Sequence, residues 1–200
     1  MVMKHKNWGG VLMMGGRGQR MGGRDKSALT LKDATFRDIA LKRLENSFDH
    51  VAISVGQSEI DAPNSEQLTD ITIDGISIGP AGGLLAAFAW AKNLGLSGIV
   101  TLPVDTPILP TAICELLCAS GKACYGQHSE QAHWLHAAWP LSDFEIIKHQ
   151  VLTQQIHSVR GLHLAINSHP VVMNDRTNGS FMNINTVDDY EALKAVQTHD

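Results

Sequence analysis

Residues 10–29 read GVLMMGGRGQRMGGRDKSAL. A short apolar run, 8–14, feeds into a loop that holds most of this stretch's six glycines. Four cations, Arg17, Arg20, Arg24 and Lys26, stand there against the single acid Asp25. A short apolar run that ends in glycines predicts a buried parallel strand opening into a loop. Glycine lets backbone N–H groups come close to a bulky anion, and the cations suit phosphate.

Working outward, strand and helix patterns alternate. TFRDIALKRLENS (35–47) has Ile39, Leu41 and Leu44 near helical spacing, with Thr35 as its cap. HVAISVG (50–56) is rich in β-formers, and residues 57–70 are polar and expected to be irregular. ITID (71–74) is a short strand candidate. In GPAGGLLAAFAWAKNLG (79–95), Gly79-Pro80 starts a helix and Gly95 stops it. GIVTLPVD (98–105) is a buried strand ending at Asp105, and Pro107 and Pro110 open the helix TAICELLCASG (111–121). ACYGQHS (123–129) and HWLHAAWP (133–140) pair as a hairpin. Residues 142–167 carry one or two helices with a break at Gly161, PVVM (170–173) is a last strand, and TVDDYEALKAVQ (186–197) is a helix capped by Thr186.

This alternation predicts one domain over residues 1–200, a Rossmann-like three-layer α/β/α fold with a mostly parallel sheet. Ligands of such sheets bind at the carboxyl ends of strands, where the glycine loop and Asp105 both fall.

Composition narrows the function. The net charge of -4 argues against broad nucleic-acid binding, which needs a basic surface. No apolar stretch reaches a membrane span and no secretory leader is recognised, so a cytoplasmic protein is expected. Three cysteines, Cys114, Cys118 and Cys124, are an odd set that fits reduced, buried thiols. A zinc site is not expected: CxxC and HExxH are absent, and His133 and His136, three apart on a strand, would face opposite ways.

Two familiar phosphate loops fail. A Walker loop needs glycine where Asp25 stands, and a dinucleotide fingerprint needs glycine where Met21 stands. The loop MMGGRGQRMGGRDK (13–26) instead resembles that of the molybdenum cofactor guanylyltransferases, with Gly15, Gly16, Arg20, Met21, Gly22, Asp25 and Lys26 matching. Met13 and Met14 replace the usual Leu-Ala, and Gly18 replaces a serine. Further segments resemble family motifs in order: IDGISIGPAGGLLAAF (73–88), LPVDTPILP (102–110), HWLHAAW (133–139) with Trp134 for proline, and NINTVDDY (183–190) with Val187 for proline.

The resemblance implies a nucleotidyltransferase fold, with a nucleotide-binding N-terminal half and a pterin-side C-terminal half. It implies transfer of GMP from GTP to molybdopterin or molybdenum cofactor with release of pyrophosphate, and other cofactor-biosynthesis or molybdoenzyme-delivery proteins as partners. Arg20, Lys26 and Asp105 are the implied catalytic residues, with Asp105 holding Mg²⁺. Met13, Met14, Gly15, Gly16, Lys26, Ser54, Asp74 and Asp105 are the implied nucleotide contacts; Ser54 stands where the family often has asparagine. Asn183 and Asn185 are the implied substrate contacts, with Arg160, Arg176 and nearby histidines as further pterin candidates. Two alternatives stay open: a CTP-dependent relative, such as a cytidylyltransferase, and a nucleotide-binding partner in cofactor delivery that has lost catalysis.

Overall fold

A computed structural model describes residues 4–14, 26–57, 60–62 and 64–197. In chain order the strands and helices are β1 (Trp8–Met13), β2 (Thr30–Leu31), β3 (Ala34–Thr35), α1 (Phe36–Ser47), β4 (His50–Ser54), β5 (Glu66–Leu68), β6 (Thr72–Ile73), β7 (Ile76–Ser77), α2 (Pro80–Asn93), β8 (Gly98–Pro103), α3 (Ile113–Cys118), β9 (Cys124–His128), β10 (Gln131–Pro140), α4 (Phe144–Leu152), α5 (Val159–Ala165), β11 (His169–Val172) and α6 (Val187–Gln197). A single 3-10 turn, Lys26–Ala28, precedes β2.

Seven strands form the main sheet in the order β11-β9-β10-β8-β1-β4-β5. β10 runs antiparallel to both neighbours, and the other neighbouring pairs are parallel. The expected α/β architecture with a mostly parallel sheet is therefore the observed one. From β1 the chain moves to β4 and β5 on one side, then returns to add β8 on the other. That reversal opens a crevice at the carboxyl ends of β1 and β8, the place where such sheets bind ligands.

Each sheet face buries its own core. On one side Leu12, Val100 and Leu102 pack with Phe36 and Leu44 of α1, Ile113 and Leu117 of α3, and Leu193 of α6. On the other, Val11, Ile99 and Trp139 pack with Leu84 and Phe88 of α2, Ile147 of α4 and Leu162 of α5. Alternation along each central strand sends successive side chains to opposite faces, so both faces need apolar residues and the strands read as continuous apolar runs.

The caps follow the sequence. Thr35 accepts from the Asp38 N–H at 3.0 Å, and Pro80 stands in the first turn of α2. Gly95 takes φ +69°, which ends that helix. Two local expectations are corrected. Residues 57–70 contain β5, because Gln67 and its neighbours pair with Ala52–Ser54 at a polar sheet edge. The break in 142–167 falls between α4 and α5, and Gly161 lies inside α5, where the Ser158 hydroxyl accepts its N–H. ITID holds the expected short strand, β6, which pairs with β7 as a small hairpin.

The three cysteines are buried free thiols. Burial pushes the Cys114 and Cys124 thiols up to about 11, which keeps them protonated and unreactive. Among the described residues no helix is long and apolar enough to cross a membrane.

One polar relay ties β10 to β8 inside the second core. The Trp139 indole N–H donates to the Thr101 hydroxyl at 3.0 Å, and that hydroxyl donates to the Leu135 carbonyl at 2.7 Å. Thr101 and Trp139 are fully buried. Thr101→Val keeps the shape and removes both bonds, leaving the buried Trp139 indole N–H without this acceptor and the half-buried Leu135 carbonyl without this donor. Urea unfolding is expected to show a loss of about 1–3 kcal/mol. An unchanged midpoint would show that neither bond contributes.

Candidate active site

Parallel pairing brings the ends of β8, β1 and β4 level. The Val104 N–H donates to the Met13 carbonyl at 3.1 Å, and the Met14 N–H donates to the Ser54 carbonyl at 3.1 Å. Asp105 follows directly after this paired stretch. The segment 181–185 lies alongside it: the Ile184 N–H donates to the Asp105 carbonyl at 2.8 Å, and the Phe181 N–H to the Ile108 carbonyl at 3.0 Å.

These backbone contacts bring together three side chains that are far apart in sequence. The Lys26 ammonium donates to Asn185 Oδ1 at 2.6 Å and lies 3.5 Å from Asp105 Oδ2. Lys26 and Asp105 are only 18% and 20% exposed, so the pair is shielded from bulk water. Burial raises the Asp105 carboxyl above its usual range, and the Lys26 charge only partly opposes this.

Asn183 is exposed, and with Asp105 it lines a second feature, a cavity of about 350 Å³. His133, Trp134, His136 and Arg160 line it too. The expectation that His133 and His136 face opposite ways is corrected here. The β9-β10 register shifts between His133 and Ala137, and this bulge turns both rings to Phe181, at centroid distances of 4.6 and 5.4 Å. Burial holds both imidazoles below their usual range, His136 down to about 3, so they are neutral at pH 7. Among the described residues no group of three or more His, Cys, Asp or Glu side chains is placed to hold a metal. A larger groove, about 630 Å³, lies between α1 and the start of α3 and holds none of these residues.

On the β4 side, the Ser54 hydroxyl donates to Asp70 Oδ1 at 2.7 Å. The start of α2 presses against this pair. A Cβ on Gly83 would stand 2.3 Å from Ser54 Oγ and 3.0 Å from Asp70 Oδ1, and one on Gly82 would stand 2.3 Å from the Ile71 carbonyl. Only glycine fits at these two positions. Asp74 is not brought to this cluster. It occupies the β6-β7 turn at φ +50°, exposed, beside Gly75. The carboxylate that meets Ser54 is Asp70, four residues earlier, because Ile71 pairs with Gly82 and draws Asp70 in.

Met13 is buried and Met14 half-buried, with the Met13 carbonyl and Met14 N–H already used within the sheet. Gly15, Gly16 and Arg20, with Arg17 and Arg24, lie outside the described residues. Sequence reasoning missed Asp70, which carried no motif, and Asp189, whose signal was present as the Thr186-x-x-acid pattern of a capping box.

The profile of the MobA-like NTP transferase domain matches residues 10–176. The chain belongs to this family. Among its relatives, a protein of Acidiphilium cryptum named molybdenum cofactor guanylyltransferase is 30% identical over 187 residues, 92% of this chain and 93% of that protein. One of Cereibacter sphaeroides with the same name is 32% identical over 135 residues, 66% of this chain and 69% of that protein. The fold is also that of molybdopterin-guanine dinucleotide biosynthesis protein A from Archaeoglobus fulgidus, with TM-score 0.74, 20% identity, and coverage of 96% of this chain and 100% of that one. A cytidylyltransferase from Leptospira borgpetersenii superposes at TM-score 0.63 and 16% identity, covering 99% of this chain and 88% of that one. As a MobA-like NTP transferase, the chain is a nucleotidyltransferase.

The Ser54 contact makes a testable electrostatic statement. Burial raises the Asp70 carboxyl, and the Ser54 hydrogen bond is the first of the contacts that lower it again. Ser54→Ala removes that donor, so the Asp70 carboxyl is expected to titrate at higher pH than in the parent, followed by carboxyl-carbon NMR. A raised folded-state pKa removes stability as pH rises from the unfolded value through the folded one. The variant should therefore lose more stability than the parent across that acid window. A downward shift or none would show that the bond does not hold the charge.

Proposed function

We propose that this MobA-like chain transfers GMP from GTP to the terminal phosphate of molybdopterin or molybdenum cofactor, giving the guanine dinucleotide form and pyrophosphate. The observation that carries the proposal is the convergence of Lys26, Asp105 and Asn185 at the crevice between β1 and β8. The curated relatives named above support the choice of substrates. Residues 1–200 act as one catalytic unit in the cytoplasm, nucleotide on the β1-β4 side and acceptor on the β10 side. Cofactor-biosynthesis or molybdoenzyme-delivery proteins are its further partners.

In this reaction an oxygen of the acceptor's terminal phosphate forms a bond to the α-phosphorus of GTP, and the bond to the bridging oxygen of pyrophosphate breaks. The protein's task is alignment and charge neutralisation. Lys26, met by Asn185 and Asp105, would hold the triphosphate with its ammonium. Gly15, Gly16 and Arg20 of the loop would add N–H and guanidinium donors. Met13 and Met14 would place the loop against the nucleoside, and Ser54, buried and donating to Asp70, would hold that carboxylate in place beside it.

The donor set fits Mg²⁺. Asp105 and Asn185 offer hard oxygens that meet at one ammonium. Asp105 and Asn185 would hold the ion, which supplies charge neutralisation at the α-phosphate. On the acceptor side, Asn183 and Arg160 face one cavity with Asp105, so an anionic acceptor seated there meets a guanidinium and an amide next to the nucleotide.

Calorimetric titration with GTP tests the cluster. Lys26→Ala removes a charge-assisted contact worth about 1.5–3 kcal/mol, so GTP affinity should fall roughly ten- to a hundred-fold. Equal affinity in variant and parent would take Lys26 off the triphosphate.

Nucleotide choice tests the substrate. GTP with Mg²⁺ is expected to raise Tm more than CTP or ATP at equal concentration. Guanine carries an N–H donor pair that adenine lacks, and acceptors left unpaired in a dry pocket cost about 1–3 kcal/mol. A larger shift with CTP would assign the chain to cytidylyl transfer.

A further inference from the structure

The C-terminal helix reaches the candidate site through one carboxylate. Asp189, in the first turn of α6, accepts two backbone bonds on a single oxygen: Oδ2 takes the Asn185 N–H at 2.9 Å and the Thr186 N–H at 2.8 Å. The Asp189 N–H in turn donates to the Thr186 hydroxyl at 3.1 Å. This is a capping box, which ordinarily serves only to satisfy the free N–H groups at a helix start. Here it does more, because one of the clasped N–H groups belongs to Asn185, whose side chain holds Lys26 at 2.6 Å.

Asn185 is pinned from both sides. Before it, the Ile184 N–H is tied to the Asp105 carbonyl at 2.8 Å. After it, the Thr186 N–H is tied to Asp189. With its own N–H also held, the backbone torsions at Asn185 are fixed, and they set the direction of its Cβ and so of its amide. The same helix is tethered a second time, by the Tyr190 hydroxyl donating to the Thr30 carbonyl at 2.7 Å, four residues after Lys26. The first turn of α6 therefore clasps Asn185 and also ties the segment that follows Lys26.

We propose that Asp189 is a positioning residue for Lys26, acting through the backbone of Asn185 rather than by touching substrate. This rests on the guanylyl-transfer proposal only for its consequence in turnover; the geometric claim stands on the substrate-free protein. Asp189 also lies within the field of Lys26, which helps to hold its carboxyl below the usual range after the hydrogen bonds from Asn185 and Thr186.

Three variants separate positioning from helix capping. Asp189→Ala loses both backbone bonds. Asp189→Asn keeps an oxygen that can accept both. Thr186→Ala loses only the reciprocal cap and leaves the clasp on Asn185. The readout independent of activity is the rate at which Lys26 is acylated by an amine-reactive reagent, followed by mass spectrometry of the intact folded protein. Lys26 labelling is expected to rise about fivefold or more in Asp189→Ala and less than twofold in the other two. Pyrophosphate release from GTP and molybdopterin should show kcat falling about tenfold or more in Asp189→Ala and less than threefold in Thr186→Ala, although both lower Tm. Unchanged Lys26 labelling in Asp189→Ala, or equal labelling in Asp189→Ala and Thr186→Ala, would overturn the proposal. Parent protein that releases no pyrophosphate would count against guanylyl transfer alone, while the labelling result would still decide the role of Asp189.

Discussion

A shielded ammonium between one carboxylate and one amide oxygen organises this molecule. Lys26, Asp105 and Asn185 lie 79 and 159 positions apart as counted from the lysine, yet their polar atoms meet. A buried charge is tolerated only with partners, so each of the three segments constrains the others. The 3-10 turn at Lys26–Ala28, the end of β8 and the entry to α6 are tied to one point. Backbone bonds reinforce this tie, with Ile184 fastened to Asp105 and Phe181 to Ile108. The sheet supplies the level platform, and the chain reversal between β1 and β8 opens the crevice above it.

The two sides of that crevice differ in character. Toward β4, Ser54, Asp70 and the bare backbone of Gly82 and Gly83 make a tight, polar wall. Toward β10, the wall is a cavity with neutral histidines, an indole and one guanidinium. An aromatic cavity with a cation at hand suits a planar, phosphorylated acceptor. Asp105 lines that cavity and also meets Lys26, so it belongs to both sides.

Much of this was legible in the sequence because it depends on local chemistry. The apolar runs 98–103 and 8–13 are buried on both faces, so their composition announced central parallel strands. Thr35, Gly95 and Thr186 announced helix ends, because capping and positive φ are properties of single residues. Lys26, Asp105 and Asn185 were found through motif resemblance. What escaped depends on tertiary contact. β5 is a short polar strand recruited by an existing edge, with no periodicity of its own. The bulge that brings His133 and His136 together comes from a register shift against β9, which strict alternation along β10 excludes. Asp70 rather than Asp74 meets Ser54 because the Ile71-Gly82 pairing draws that stretch inward. No spacing rule within one segment encodes such a contact.

The most direct test of the central claim is product formation by the purified chain. Molybdopterin is incubated with GTP or with CTP in the presence of Mg²⁺, and the products are resolved by mass spectrometry for the parent and for Asp105→Asn. The account predicts a guanine dinucleotide and pyrophosphate in equal amounts with GTP, little product with CTP, and loss of most turnover in the nearly isosteric variant while its fold is kept. Full activity in Asp105→Asn, or a cytosine dinucleotide as the main product, would contradict it.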